Sequence, residues 1–149
     1  MKNEENLKLL KQNRCLIGLN PEIGHVKTGF EPIAAVYTLI GKYGKLVHCN
    51  WNSRLLVNYD QDLNTVIVDI KETYALLHAF KIMSHKKYVG VDIFQERISF
   101  DIALKININM INKMISKIEN LPHEEIMNYY LEPTENRGEL EKMWMNYLI

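Results

Sequence analysis

One stretch decides the fold class of this chain: Ile98-Ser-Phe-Asp-Ile-Ala-Leu-Lys-Ile-Asn-Ile-Asn-Met110. Every second residue is apolar and the residues between them are mostly polar, which is typical of a strand with one buried face. We therefore predict a long strand here, paired as a hairpin with residues 88–94. A helix over 96–110 is the alternative, because isoleucines at this density also recur at i, i+4. Beyond position 110 the apolar spacing becomes helical.

The residues before this stretch predict further strands. Short apolar or β-branched segments occur at 15–19, 45–51, 54–59 and 65–69. Residues 33–40 fit either a buried strand or a short helix that begins at Pro32, and the glycines at 41 and 44 favour the strand by suggesting a hairpin connection. Residues 20–32 contain two prolines and two glycines, so we predict a long loop of the kind that often carries function.

Helical spacing predicts a helix after Asp69 and two helices at the C-terminus. The first has its apolar stripe at Leu76, Leu77, Phe80 and Met83. Asp69 and Glu72 are spaced as a capping box at its start. At the C-terminus, Pro122 lies near the start of one helix and Pro133 ends it, and the last helix begins at Asn136.

Together these elements predict an α+β fold in a single globular domain over residues 1–149. The expected architecture is a mainly antiparallel sheet of about six strands with helices packed on one face and helices at the C-terminus. The chain has 149 residues, which is the usual size of one domain.

Composition narrows the class of protein. Eighteen Lys and Arg balance eighteen Asp and Glu, and 47% of the residues are hydrophobic. This composition excludes a disordered chain and a nucleic-acid module identified by bulk charge. The charged start, the two cysteines and the lack of a long apolar run predict a cytoplasmic protein without a signal peptide or membrane segment.

The zero net charge conceals an uneven distribution. Residues 1–58 carry eight Lys and Arg against four Asp and Glu, a balance of +4. Residues 119–149 carry two against seven, a balance of −5. Either the two ends neutralise each other in the fold or they form separate binding faces.

Two segments of the basic part are candidates for binding an anionic ligand. Residues 18–29 resemble a phosphate-binding loop, but two residues intrude between the second glycine and the lysine, so the motif is broken. A looser anion-binding loop remains, and residues 42–54 mix cations with aromatic side chains in a way that suits phosphates and bases. The predicted ligand-binding residues are His25, Lys27, Thr28, Lys45, Trp51 and Arg54.

The alternatives are an enzyme and a nucleic-acid-binding protein. Asp69 and Asp92 follow apolar segments and, with His25 and Lys27, could form a metal-dependent phosphoester or nucleotide hydrolase. Zinc ligation is not favoured, because the cysteines and histidines lack paired ligand spacing. We therefore predict no metal and no cofactor.

The leading hypothesis is a non-enzymatic binding or regulatory protein that engages a protein partner or a small anionic, nucleotide-like ligand. The C-terminal helix carries Trp144, Met145 and Tyr147 near its end, and Trp, Met and Tyr are enriched at interfaces. We predict a homo-oligomer formed through this helix.

Overall fold

A computed structural model describes residue 5 and residues 17–55, 62–65, 70–94, 97–131 and 133–148, with the backbone alone for 129–131, 133–137, 140, 144 and 148. Within these ranges the chain is mostly helical. The elements are α1 (Ile23–Thr28), α2 (Ile33–Lys42), β1 (Asn50–Trp51), α3 (Ile70–Ile82), β2 (Gly90–Val91), α4 (Phe100–Glu119), α5 (His123–Leu131) and α6 (Pro133–Leu148).

The predicted α+β fold with about six antiparallel strands is wrong. In the described residues one sheet is present, and it consists of β1 and β2 paired in parallel, with Asn50 opposite Gly90 and Trp51 opposite Val91. Isolated bridges join Leu19 to Leu46, Glu22 to Asn50, and Ser53 to Leu63. The predicted strand residues 15–16, 56–59 and 66–69 lie outside the described ranges, as does Asp69 with its predicted cap.

The stretch with alternating apolar residues forms helix α4. Its buried residues are Ala103, Asn107, Met114 and Ile118, at helical spacing. Ile102 and Ile106, which the alternation assigned to the buried face, are 49% and 39% exposed. The intervening Asp, Asn, Ala and Lys residues are depleted in strands, whereas isoleucine lowers helix propensity only slightly. Residue composition and packing therefore favour a helix here, although the apolar residues alternate as in a strand.

Two more segments predicted to lack helix are helical. Residues 33–40 belong to α2, so the helical alternative was the correct one, and Pro32 immediately precedes the helix with φ −63°. The predicted loop 20–32 contains α1, which ends at Thr28 and has Gly29 as its C-cap. Pro32 is the N-cap of α2, and proline is tolerated at the start of a helix because the amide hydrogen it lacks would have no partner there.

The helix after Asp69 and the two C-terminal helices are confirmed as α3, α5 and α6. Helix α5 ends at Leu131 and α6 begins at Pro133, three residues before the predicted Asn136. None of the helices in the described ranges is long and apolar enough to cross a membrane.

The core forms where α2, α3 and β1 meet. Tyr37 of α2 and Trp51 of β1 both contact Phe80 of α3 edge to face, with ring centroids 5.8 and 5.9 Å apart. Both side chains are almost completely buried. Met114 and Ile118 of α4 pack against the same cluster, so α4 is attached to the core by its C-terminal half.

Candidate functional site

A groove with a volume of about 650 Å³ lies between α4 and the C-terminal end of α3 with the residues that follow it. Small-molecule sites commonly fall between about 300 and 1,000 Å³. The lining residues are Trp51, Leu77, Phe80, Lys81, Ser84, His85, Lys86, Lys87, Val89, Val91, Ile108, Ile111, Asn112, Ile115, Ile118 and Glu119.

The base and one wall of this groove are apolar. Trp51 and Phe80 are 1% and 7% exposed, so they lie at its base. Ile108, Ile111 and Ile115 form the α4 wall, at a spacing of three and four residues that places them on one face of the helix. These three isoleucines therefore offer the apolar body of a ligand a surface about two turns of helix long.

The opposite wall is basic. Lys81, Lys86 and Lys87 line it, and Glu119 is the one carboxylate in the lining. The Lys87 ammonium donates a hydrogen bond of 3.1 Å to the Leu46 carbonyl, which holds it against the protein. A helix C-terminus carries about half a negative charge, which three lysines exceed. The wall therefore attracts an anion.

The turn between these lysines is a Schellman motif. The His85 amide donates to the Phe80 carbonyl at 2.9 Å, and the Ser84 amide donates to the Lys81 carbonyl at 3.1 Å. Ser84 has φ 52°, the left-handed conformation that this motif requires. The ring of His85 stacks on the ring of Phe80, with centroids 4.6 Å apart. The backbone and the ring stack thus hold the basic wall in place.

His85 contributes to this wall as a neutral ring. Burial, together with the nearby Lys87 charge, lowers the pKa of His85 below its usual value. Its Nε2 atom is buried and makes no hydrogen bond to the described residues. The lysines therefore carry the positive charge of the groove at neutral pH.

The residues predicted from the sequence to bind a ligand lie mostly elsewhere. Of the six, Trp51 lines the groove. Lys45 donates a hydrogen bond of 3.0 Å to the Ile17 carbonyl. On α1, the Thr28 hydroxyl donates to the His25 carbonyl at 2.8 Å, and His25 and Lys27 are the basic residues of the last turn of this helix. A ligand-binding role for these residues stays a prediction.

Arg54 belongs to a buried polar network. Its side chain is 1% exposed and forms ion pairs with Glu22 and Asp62 at 3.2 and 3.1 Å. Asn52 donates to the same two carboxylates at 2.8 and 2.9 Å. The Glu22 carboxylate is also 3.1 Å from His25. These contacts give Arg54 and His25 a structural role in the described part of the chain.

The space beside this network is small. The adjoining cavity, which Lys27 and Arg54 line together, has a volume of about 10 Å³. This is about the volume that one water molecule needs. The 20–32 segment therefore offers its cations to solvent or to the protein itself, whereas the groove offers room for a ligand.

Part of the alternative hydrolase site lies outside the described ranges, because these do not include Asp69. Asp92 accepts a hydrogen bond of 3.0 Å from the side-chain amide of Asn50. Among the described residues, no three His, Cys, Asp or Glu side chains are placed to hold a metal ion. Cys15 is also outside these ranges.

The lysines of the groove are visible in the sequence, but the alternating isoleucines of α4 predict a strand and so hide the wall that faces these lysines. Lys86 and Lys87 lie just beyond the C-terminal end of α3, where the helix dipole favours cations, and this local role hides any role in binding a ligand. Their position beside the α4 isoleucines depends on α4 being a helix. No family model matches this chain, and a search of curated proteins found no significant relative.

Proposed function

We propose that this chain is a non-enzymatic binding protein whose groove takes a small ligand with an anionic head and an apolar body. One observation carries the proposal: three lysines line a groove whose base and opposite wall are aromatic and aliphatic. An anionic head gains from the lysines, and an apolar body gains from leaving water. A purely apolar ligand would leave the lysines unused, and a small inorganic anion would leave the apolar wall unused.

The shape of the groove favours an elongated ligand. The α4 residues in its lining run from position 108 to position 119. At 1.5 Å per residue this is a length of about 16 Å. A medium-length alkyl chain or two fused rings can lie along this wall while the head reaches the lysines.

Three further parts of the proposal come from the sequence. The protein is cytoplasmic, it has a regulatory role through its ligand, and it forms a homo-oligomer through α6. The exposure of Met145 and Tyr147, at 62% and 43%, supports an interface on α6. Light scattering at micromolar concentration tests the oligomer, and a monomer would contradict it.

Ligand binding is tested with a displaceable fluorescent probe. Anilinonaphthalene sulfonate is bound to the protein and then displaced by decanoate or by decanol, which has the same chain without the charge. We expect decanoate to displace the probe at lower concentration, and its advantage to shrink as salt is added. Equal displacement by both compounds at low salt would contradict an anion-selective groove.

Two isoleucines of α4 provide a matched pair of variants. Ile115 is 36% exposed and lines the groove, whereas Ile106 is 39% exposed and does not. Ile115→Glu places a carboxylate beside the ligand body and should abolish binding of decanoate. Ile106→Glu should leave binding unchanged, with a similar melting temperature. If both variants bind as the parent protein does, the groove is not the site.

A further inference from the structure

Ser84 is held in a conformation that favours glycine. Its φ is 52°, at the position after α3 where Schellman motifs usually place glycine. A side chain in the left-handed region is destabilised by contact between its Cβ and the backbone. Strained residues of this kind persist where the surrounding structure holds them, and they are frequent at binding sites.

The Ser84 side chain is available to a ligand. Ser84 is exposed and lines the groove between Lys81 and Lys86. No hydrogen bond between described residues uses its hydroxyl group. The turn is therefore satisfied by backbone hydrogen bonds alone, and the hydroxyl contributes nothing to its closure.

We infer that Ser84 contacts the ligand, with its hydroxyl donating a hydrogen bond to an oxygen of the anionic head. This inference rests on the proposed function of the groove. The lysines supply charge from the side, and the hydroxyl supplies a donor from a turn fixed by the Phe80–His85 stack. The chemistry is shared by a carboxylate and a phosphate, and both accept such a bond.

Phe30 is a matched control for the strain at Ser84. It has φ 58°, follows α1 as Ser84 follows α3, and is 77% exposed. It does not belong to the groove lining. Phe30→Gly and Ser84→Gly thus relieve the same kind of strain, but Ser84→Gly alone removes a group from the groove.

The experiment measures melting temperature and ligand affinity for Ser84→Gly, Ser84→Ala and Phe30→Gly. Calorimetric titrations use decanoate, decyl phosphate and decanol. We expect both glycine variants to melt at a higher temperature than the parent protein. Ser84→Gly and Ser84→Ala should each weaken the preferred anion roughly tenfold, the usual effect of a hydrogen bond to a charged group, and leave decanol unchanged.

The outcomes separate the inference from the proposed function. If the parent protein binds neither anion more tightly than decanol, the proposed function fails. If the parent binds an anion and Ser84→Ala binds it equally well, the proposed function stands and the inference about Ser84 is wrong. Phe30→Gly should bind as the parent does, and an equal loss of anion affinity there would overturn the inference, because it would show that the loss does not require a change in the groove. Whichever of decanoate and decyl phosphate binds with the higher affinity identifies the preferred head group as a carboxylate or a phosphate.

Discussion

The Arg54 guanidinium lies 3.2 Å from the Glu22 carboxylate, with the arginine 1% and the glutamate 20% exposed. The glutamate directly precedes α1, and the arginine follows β1 by three residues. The ion pair therefore fastens α1 to the segment after the sheet. Asp62 and Asn52 complete the same network and bring a third part of the chain to it.

Arg54→Met should destabilise the protein strongly. The substitution removes the buried cation that pairs with the carboxylates of Glu22 and Asp62. Both carboxylates then keep their hydrogen bonds from the Asn52 side-chain amide within this network. Breaking a buried ion pair by removing one partner commonly costs about 3–5 kcal/mol, and we expect a cost at the lower end because the two carboxylates left behind are 20% and 29% exposed. Urea unfolding measures the change in the free energy of unfolding. Lys142→Met removes a cation from the exposed pair with Glu139 and should leave this free energy unchanged.

Asn107→Ala should destabilise the protein by about 2–4 kcal/mol. The side chain of Asn107 is fully buried and connects α4 to residues 64 and 65. It accepts a hydrogen bond from the Thr65 amide and donates to the Asn64 side chain, at 2.6 and 2.8 Å. Alanine would leave these groups buried and unpaired.

Asn109→Ala is the matched control for Asn107→Ala. Asn109 lies two residues further along α4 and is exposed. Alanine there should change the free energy of unfolding by only a few tenths of a kcal/mol, in the stabilising direction, because alanine is the better helix former. Equal effects of the two substitutions in urea unfolding would contradict the buried role of Asn107.

Stability should fall as the pH is lowered from about 7.5 to about 5.5. Burial, and then the neighbouring His123, lower the pKa of His78 below its usual value. The unfolded chain therefore takes up a proton at a higher pH than the folded protein does. The contribution of His78 to the free energy of unfolding is fully present above the unfolded pKa near 6.5. It is lost as the pH falls through that value, because the unfolded chain then binds a proton that the folded protein does not.

His78→Gln tests this pH dependence. The two rings stack with centroids 5.0 Å apart and share a 2.9 Å contact between His78 Nε2 and His123 Nδ1. Removing one ring should make the decline between pH 7.5 and 5.5 shallower, with His85 still contributing because burial lowers its pKa too. Urea midpoints at several pH values measure the slope, and an unchanged slope would show that His78 does not cause it.

Cys49 should be unreactive in the folded protein. Its thiol is buried and donates a hydrogen bond to the Tyr37 hydroxyl at 3.3 Å. Burial raises the pKa of Cys49 to about 12, so roughly one thiol in ten thousand is ionised at pH 8. In a Cys15→Ser variant, Ellman's reagent should label no thiol until guanidinium chloride is added. Stoichiometric labelling of the folded variant within minutes would contradict this burial.

The helices that the sequence predicted correctly have local signals. α3 has apolar residues at helical spacing, and α5 and α6 are separated by a proline that one helix cannot contain. The failure at α4 arose because its isoleucines satisfy two periods at once. Burial of Ala103 and Asn107 resolves this ambiguity, and both were assigned to the exposed face by the alternation.

The candidate site was predicted less well than the helices. Trp51 lines the groove, whereas Lys45 donates to a backbone carbonyl and Arg54 pairs with the carboxylates of Glu22 and Asp62, so a ligand-binding role for all three stays a prediction. Their partners at positions 17, 22 and 62 are distant in the sequence. The sequence alone does not distinguish a lysine or arginine that binds a ligand from one that pairs with a distant residue of the same chain.

By itself, the sequence determined the class of chain, the absence of a long apolar run and the approximate positions of α3, α5 and α6, since these depend on composition and on neighbours within a few residues. Only the tertiary structure decided that α4 is a helix, which of its faces is buried, and that its isoleucines stand opposite Lys81, Lys86 and Lys87. The physical reason is that a groove is made by residues from three separated segments. These segments come together because the helices pack against the Tyr37, Trp51 and Phe80 cluster. The spacing of apolar residues within one segment does not indicate which other segment it will contact.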